Sequence, residues 1–193
     1  MSPATAKANR SWICSAEKFP AVFWNLTCNC PVNTDEFWQI IEDARETGDD
    51  CGTVVEAVRE TLEGMSPEAV LGFENELWRR MAESYRWDLW AIAFIVNGGC
   101  SDDGFDYFRG WLIAKGRRYF EAALADPERA ADEAEPDANE CEDMIAVAAS
   151  IYNAKTGNYP ARSGDPLPAE PAGDPWKEDE LEARYPELCE RFS

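Results

Sequence analysis

Residues 85–115, YRWDLWAIAFIVNGGCSDDGFDYFRGWLIAK, decide the fold class of this chain. Residues 89–96 are apolar almost all round, which is typical of a central buried helix. The Asn-Gly-Gly that follows ends this helix, because glycine readily adopts positive φ. Ser101 begins the next helix as an N-cap, and the two aspartates after it suit the positive end of a helix dipole. The stretch therefore predicts two helices, near 86–97 and from Ser101 onward, in an all-α protein.

Helix-start signals also occur before this stretch. Asn33 with Glu36 three residues later predicts a capping box, and an apolar stripe begins directly after it. A second helix is predicted over about 53–63. Ser66 is predicted to cap a third helix, whose Pro67 suits the first helical position.

Helical signals continue after this stretch. The helix that Ser101 starts is expected to run past Lys115 and to carry Arg117 and Arg118 near its end, where cations suit the dipole. Residues 126–143 hold nine acids against one arginine, and an exposed connection is predicted there. A sixth helix is predicted over about 139–155. These patterns predict a compact, single-domain bundle of about six helices.

The organisation along the chain follows from breaks in composition. Residues 1–31 carry a net charge of +2 and no helical or strand periodicity, so we expect an atypical extension or upstream sequence translated from a wrongly chosen start. Residues 32–157 are the predicted helical domain. Residues 158–175 are rich in proline and read as a linker, and residues 176–193 predict a short C-terminal helix that docks on the body.

The formal net charge of −20 narrows the classes of partner. Such a surface repels phosphate, so nucleic acid and anionic membranes are disfavoured. The chain has no histidine, which removes Ser-His and Cys-His nucleophile pairs and histidine-bound metals. Loops that cradle phosphates in nucleotide-binding proteins are absent from the sequence as well. We expect no cofactor and no metal, and the charge favours a protein partner with a basic surface.

The seven cysteines are scattered and odd in number, and no CxxC pair occurs. A disulfide framework is typical of a short secreted chain with an even number of cysteines, so we predict that the cysteines are reduced thiols. No apolar run reaches the roughly 20 residues that a membrane span needs, and the N-terminus lacks a secretory signal pattern. These features predict a cytoplasmic protein.

The turn at 97–104 is the first candidate site. Backbone N–H groups at a helix start, beside Cys100 and Ser101, would bind an anion or lower a thiol pKa. Asp102 and Asp103 already occupy this electropositive end and would oppose a second anion. The alternative is ordinary helix punctuation, in which a Gly-terminated helix is followed by a Ser-capped one.

Charged residues beside the apolar helix form the second candidate. A buried charge must find a partner, which predicts a network of Arg86, Asp88 and Arg109. Asp102, Asp106 and Arg109 share one helix face and would form a polar strip or a solvated ion pair. If Asp88 is buried and paired, Asp88→Ala should cost about 3–5 kcal/mol.

Aromatic residues surround both candidates. Trp90 is one of the candidate binding residues. As a group, however, the aromatic residues are predicted to pack in the core rather than to form a ligand-binding cage. They are Trp87, Trp90, Phe94, Phe105, Tyr107, Phe108 and Trp111.

These same segments resemble the bacterial family called domain of unknown function 4240. The matching features are the Phe-Trp pair at 37–38, the blocks at 85–90, 97–105 and 108–112, and the Asp-Pro at 126–127. The resemblance covers roughly residues 33–156, with an echo at Trp176 and Tyr185-Pro186. It implies a compact bacterial helical domain with no established reaction, and it transfers no catalytic residues. Residues 1–31 depart from the family pattern.

Two functions remain open. The leading one is a non-enzymatic domain that binds another protein, in concrete form an acidic inhibitor or immunity-like protein. The alternative is a small-molecule-binding or catalytic domain, with a polar site around Arg86, Asp88, Cys100 and Asp102.

Deletion of residues 1–31 is expected to leave the melting temperature nearly unchanged, because no core pattern occurs in them. Thermal unfolding of the full and shortened chains checks this. A drop of more than about 4–8 °C, or roughly 1 kcal/mol in a small domain, would show that the extension is part of the fold.

Overall fold

A computed structural model describes residues 31–136, 138–161 and 168–193. These ranges contain nine α-helices, one 3-10 helix and no strand, which confirms the all-α fold class. The predicted extension falls almost wholly outside the described residues, as does the centre of the proline-rich segment. The helices are α1 (Thr34–Arg45), α2 (Cys51–Glu63), α3 (Pro67–Glu83), α4 (Trp87–Val96), α5 (Asp102–Ala114), α6 (Arg117–Ala125), the 3-10 helix (Pro127–Ala131), α7 (Glu142–Thr156), α8 (Glu178–Arg184) and α9 (Pro186–Arg191).

The predicted N-caps are confirmed. The side chain of Asn33 accepts the N–H of Glu36, whose carboxylate accepts the N–H of Asn33 in return, and this completes the capping box. Ser66 caps α3, with Pro67 in its first turn. Ser101 caps α5 by accepting the N–H of Gly104.

The prediction of one long helix from Ser101 past Arg117 is wrong. Gly116 has a φ of +85°, so α5 ends and α6 begins there. A Cβ at Gly116 would lie 2.6 Å from a Glu42 carboxylate oxygen. The N–H of Arg117 donates to that same oxygen at 2.8 Å. Arg117 and Arg118 therefore lie at the start of α6 rather than at the end of α5, and a carboxylate on α1 satisfies the exposed backbone donor.

The prediction of an exposed connection over 126–143 is only half right. Its acids within the described residues are exposed, but Ala130, Ala131 and Ala134 are buried. The buried Asn139 donates to the Asn97 side chain at 2.9 Å and so ties the connection to the end of α4. Small alanines pack inward between the acids without the long apolar side chains that mark a core segment in the sequence.

Helix α7 packs against α2, α3 and α5, and a disulfide joins its N-cap residue, Cys141, to Cys51 at the start of α2. The prediction of reduced thiols is wrong for this pair, whose Cα atoms lie 5.9 Å apart. The bond links residues 90 positions apart. No spacing rule shows such a pairing, because only the packing of α7 on α2 brings the two cysteines together.

The C-terminal part forms two short helices, α8 and α9, where the sequence predicted one. α9 packs on α4. Ahead of them, the N–H of Trp87 donates to the Ala172 carbonyl and the N–H of Ala172 donates to the Tyr85 carbonyl, both at 2.9 Å. The last part of the predicted linker is therefore bound to the body. Among the helices described here, none has the length and apolarity needed to cross a bilayer.

Candidate functional site

The nine predicted site residues occupy three places. Arg86 and Asp88 lie at the start of α4, and Cys100 and Ser101 lie beyond its other end. The chain turns back after α4, so the Trp90 indole reaches the Cys100 carbonyl oxygen. Among the described residues, however, no hydrogen bond or ion pair joins Arg86 or Asp88 to Cys100 or Ser101. Asp106 and Arg109 form a third place on α5. Arg86, Asp88 and Arg109 do not form the predicted network. Arg86 pairs with Asp88 at the start of α4, and Arg109 pairs with Asp106 on α5.

Arg86 joins two helices. Its guanidinium donates to both carboxylate oxygens of Asp88, at 3.0 and 2.6 Å. The same side chain donates to the carbonyl oxygen of Leu124 at 2.6 Å. That carbonyl lies in the last turn of α6, where a cation interacts favourably with the helix dipole. The arrangement therefore has a structural purpose, which is to fix α4 against α6.

We expect Asp88→Ala to cost about 1–2 kcal/mol, less than a fully buried pair would. Asp88 is paired, but its side chain is 27% exposed, so water partly compensates Arg86 when the carboxylate is lost. Urea unfolding of Asp88→Ala and Asp88→Asn measures the cost. A loss above about 3 kcal/mol would show that the pair behaves as fully buried.

Among the described residues, Arg109 is the one cation that is buried, and only 5% of its side chain is exposed. It pairs with Asp106 on its own helix and donates to the Met81 carbonyl oxygen. Its guanidinium carbon lies 4.7 Å from the ring centre of Tyr85 and 5.0 Å from that of Phe105. Burial lowers the pKa of Arg109, which the Asp106 carboxylate opposes. These contacts hold α5 against the end of α3.

Trp90 lies within a stack of rings. Its ring is nearly parallel to Trp87 on one side, at 5.2 Å and 8°, and to Phe105 on the other, at 4.9 Å and 10°. The indole N–H donates to the Cys100 carbonyl oxygen at 3.1 Å. Other residues of the protein thus contact both faces of the Trp90 ring and accept its N–H. This favours a packing role for Trp90 over ligand binding.

Cys100 lies beside carboxylates. Burial and then the Glu140 carboxylate raise the pKa of the Cys100 thiol to about 12. A thiolate is the nucleophilic form, and it is scarce at neutral pH when the pKa is this high. The surroundings of Cys100 therefore work against covalent catalysis.

We expect Cys100 to react with iodoacetamide at pH 8 at least about 100-fold more slowly than a free cysteine peptide. Because the pKa is raised, the labelling rate should climb roughly tenfold per pH unit well past pH 9. Peptide mapping after timed labelling of the oxidised protein measures this. Rapid, selective modification of Cys100 at neutral pH would contradict it and favour the enzymatic alternative.

Four exposed carboxylates act on the pKa of the Tyr107 hydroxyl or of the Cys100 thiol, and we call them the acidic face. The Glu142 carboxylate, then desolvation, and then Asp103 and Glu140 raise the pKa of Tyr107. Glu140 and Asp102 both raise the pKa of Cys100. The acidic face is therefore Asp102, Asp103, Glu140 and Glu142, gathered from the starts of α5 and α7.

Close packing of α5 on α7 brings these carboxylates together. The N–H of Cys141 donates to the Tyr107 carbonyl oxygen at 2.9 Å. A Cβ at Gly110 would lie 2.5 Å from the Cys141 carbonyl oxygen, so only glycine allows this approach. The disulfide fixes the same point of the chain to α2. The acidic face is thus held from two sides.

The sequence analysis found half of the acidic face, Asp102 and Asp103, and missed Glu140, Glu142 and Tyr107. Each missed residue belongs to an ordinary helix surface or helix start when it is read alone. An acidic first turn at α7 was the available signal, but it indicates a dipole interaction before it indicates a site. Only the packing of α7 on α5 shows that the two starts form one surface.

Two of the grooves in the described ranges are lined by none of the nine predicted residues. The larger, of about 460 Å³, lies between α1 and α6 and mixes charges of both signs, including Glu42 and Arg118. The smaller lies between α4 and the C-terminal helices. No group of three or more Cys, Asp or Glu residues in the described ranges could hold a metal ion.

Comparison with known proteins gives one match. No curated protein and no solved structure matches the chain. A family model described as a protein of unknown function, DUF4240, matches residues 32–154. The match covers well over half of the chain and includes α1 to α6 and nearly all of α7. The chain therefore belongs to the DUF4240 family.

Proposed function

We propose that this protein acts without catalysis, by binding a protein partner with a basic surface through its acidic face. In concrete form it is an inhibitor or immunity-like protein, which occupies a basic functional surface of its target. The proposal includes a bacterial source and no cofactor.

The observation that supports this proposal most is the lack of ionic partners at the acidic face. All four of its carboxylates are exposed. The ion pairs found among the described residues include none of them, although many other acids on the chain are paired. Helix dipoles at the two starts lower the cost of holding these charges close together. The charges are therefore tolerated by the fold and remain available to a cationic partner.

Net charge supports the same proposal. With −20 on 193 residues, the long-range field attracts a basic protein and raises its association rate. Fixed charges also give more specificity than mobile ones, since less side-chain and loop ordering is needed on binding. The Cys51–Cys141 disulfide and the Cys141–Tyr107 hydrogen bond supply that rigidity.

The small-molecule or catalytic alternative receives less support from the geometry. Among the described residues, no hydrogen bond or ion pair joins Arg86 or Asp88 to Cys100 or Asp102. Arg86 is committed to Asp88 and to a helix end, and the Cys100 thiol is protonated at neutral pH.

Cytoplasmic placement stays a prediction. Disulfides persist mainly in oxidising compartments, so a stable Cys51–Cys141 bond in the cell would argue against a cytoplasmic location. Cell fractionation with acid-quenched thiol labelling would give the location and the bond's state together.

The proposal is tested by affinity purification from the native cell with three tagged baits. One is the parent chain, and the second carries Asp102→Asn, Asp103→Asn, Glu140→Gln and Glu142→Gln. The third is a control with the same change in net charge at four other exposed, unbridged acids, Glu46, Glu60, Glu63 and Glu68, each changed to Gln. A basic protein held by the parent and the control but lost by the face variant supports the proposal. Equal recovery on all three baits contradicts it.

A further inference from the structure

The outward side of α4 is covered by a part of the chain that lies outside the family match. We call residues 168–193 the C-terminal segment. The match ends at residue 154, whereas this segment begins 14 positions later. Because α4 is apolar almost all round, one side packs into the core and the other needs a separate cover. The C-terminal segment supplies it.

A tryptophan is the main anchor of this cover. The indole N–H of Trp176 donates to the Trp87 carbonyl oxygen at 2.9 Å. Its ring meets the Phe94 ring edge to face at 5.2 Å and the Trp87 ring at 6.4 Å. Leu181, Tyr185 and Leu188 are buried behind it. A large aromatic side chain with a satisfied N–H is typical of a binding hot spot.

Electrostatics oppose this docking. The segment holds eight acids and three bases, a net of −5, on a chain of net −20. Burial raises the pKa of Tyr185, and the Asp88 and Glu128 carboxylates also raise it. Arg86 already pairs with Asp88, so Glu128 is the body carboxylate near Tyr185 that has no ion pair among the described residues. Apolar anchors therefore hold the segment against like-charge repulsion. A segment with the same anchors and basic flanks would bind more tightly to the same surface.

The fit is also incomplete. A groove of about 270 Å³ remains where Phe94 and Ile95 of α4 face Leu181, Cys189 and Phe192 of the segment. The groove is open to solvent, so another occupant has room to pack there.

We propose that the outer side of α4 is a docking surface for a basic, aromatic-anchored helical segment of a partner protein, and that the C-terminal segment occupies it in the isolated chain. This surface is separate from the acidic face, and its test does not depend on binding there.

The test uses the full chain and synthetic peptides of residues 172–193. One peptide has the native sequence. A second carries Glu178→Lys, Asp179→Lys, Glu180→Lys and Glu182→Lys, all at exposed positions. A third adds Trp176→Ala to the second. Hydrogen exchange of residues 176–193 in the protein reports displacement, and exchange in α7 reports global opening.

The basic peptide is expected to raise exchange in the C-terminal segment at about tenfold lower concentration than the native peptide, with α7 unchanged. The Trp176→Ala peptide should lose this effect. Trp176→Ala in the full chain should raise exchange in the segment alone. The proposal is overturned if the native and basic peptides act equally, if the peptide without Trp176 is as effective, or if the segment and α7 open only together.

Discussion

Reduction of the Cys51–Cys141 disulfide is expected to lower the free energy of unfolding by about 4 kcal/mol. The bond closes a loop of 90 residues, and a cross-link over so long a loop restricts the unfolded chain strongly. Urea unfolding of the oxidised protein, the reduced protein and the Cys51→Ala/Cys141→Ala variant measures the effect.

Cys100→Ala/Cys189→Ala is the control, because both residues are free thiols and neither closes a loop. Its stability should respond to reductant as the parent's does. If reduction leaves the unfolding midpoint of the parent unchanged, the two cysteines are not bonded in solution.

Arg109→Ala is expected to cost about 3 kcal/mol. The substitution removes a buried side chain that packs against the stacked Tyr85 and Phe105 rings and leaves the Met81 carbonyl oxygen without this donor. Asp106 is 38% exposed and can turn to water, and the Ser84 hydroxyl still donates to the Met81 carbonyl oxygen at 3.3 Å, so the cost comes mainly from lost packing and from the loss of the stronger, charged donor. Thermal and urea unfolding measure it.

Arg109→Met separates these causes, because it restores packing against the Tyr85 and Phe105 rings but cannot donate a hydrogen bond. We expect about half the cost of the alanine variant. The exposed Arg118→Ala is the control for a change of charge alone, with less than about 0.5 kcal/mol expected. An Arg109→Ala variant as stable as this control would show that the buried contacts do not form.

Local signals predicted the helices well where the cause is local. Asn33, Ser66 and Ser101 each cap the helix that the sequence assigns to them. Capping depends on a side chain and the three residues after it, so one sequence suffices to see it. The apolar character of α4 likewise predicted its burial, but the prediction of a central place is wrong, because α7 packs on α2, α3 and α5 while α4 packs on the 3-10 helix, α5 and α9.

The errors share a different cause. Gly116 breaks the helix with a positive φ, and Glu42, on another helix, accepts the N–H of the residue that follows. The alanines of the 126–143 connection are buried through packing that their small side chains do not signal. The disulfide joins two helix starts that are adjacent only after α7 packs on α2. Each error concerns a tertiary contact between distant segments.

The acidic face shows the same limit at the functional level. The sequence shows Asp102 and Asp103 as the acidic first turn of a helix. It does not show that Glu140 and Glu142 lie beside them and add to the same negative surface. Two acidic helix starts are unremarkable when they are apart. Held together by Gly110, Cys141 and the disulfide, they form a concentrated negative surface.

The most direct measurement is the dissociation constant of the recovered partner for the parent chain, the four-site face variant and the four-site control, each at low and physiological salt. We expect the face variant to bind about 100-fold more weakly, the control to bind within a few-fold of the parent, and the parent's affinity to fall as salt rises. Equal affinities for the face variant and the control, with no dependence on salt, would contradict binding through the acidic face.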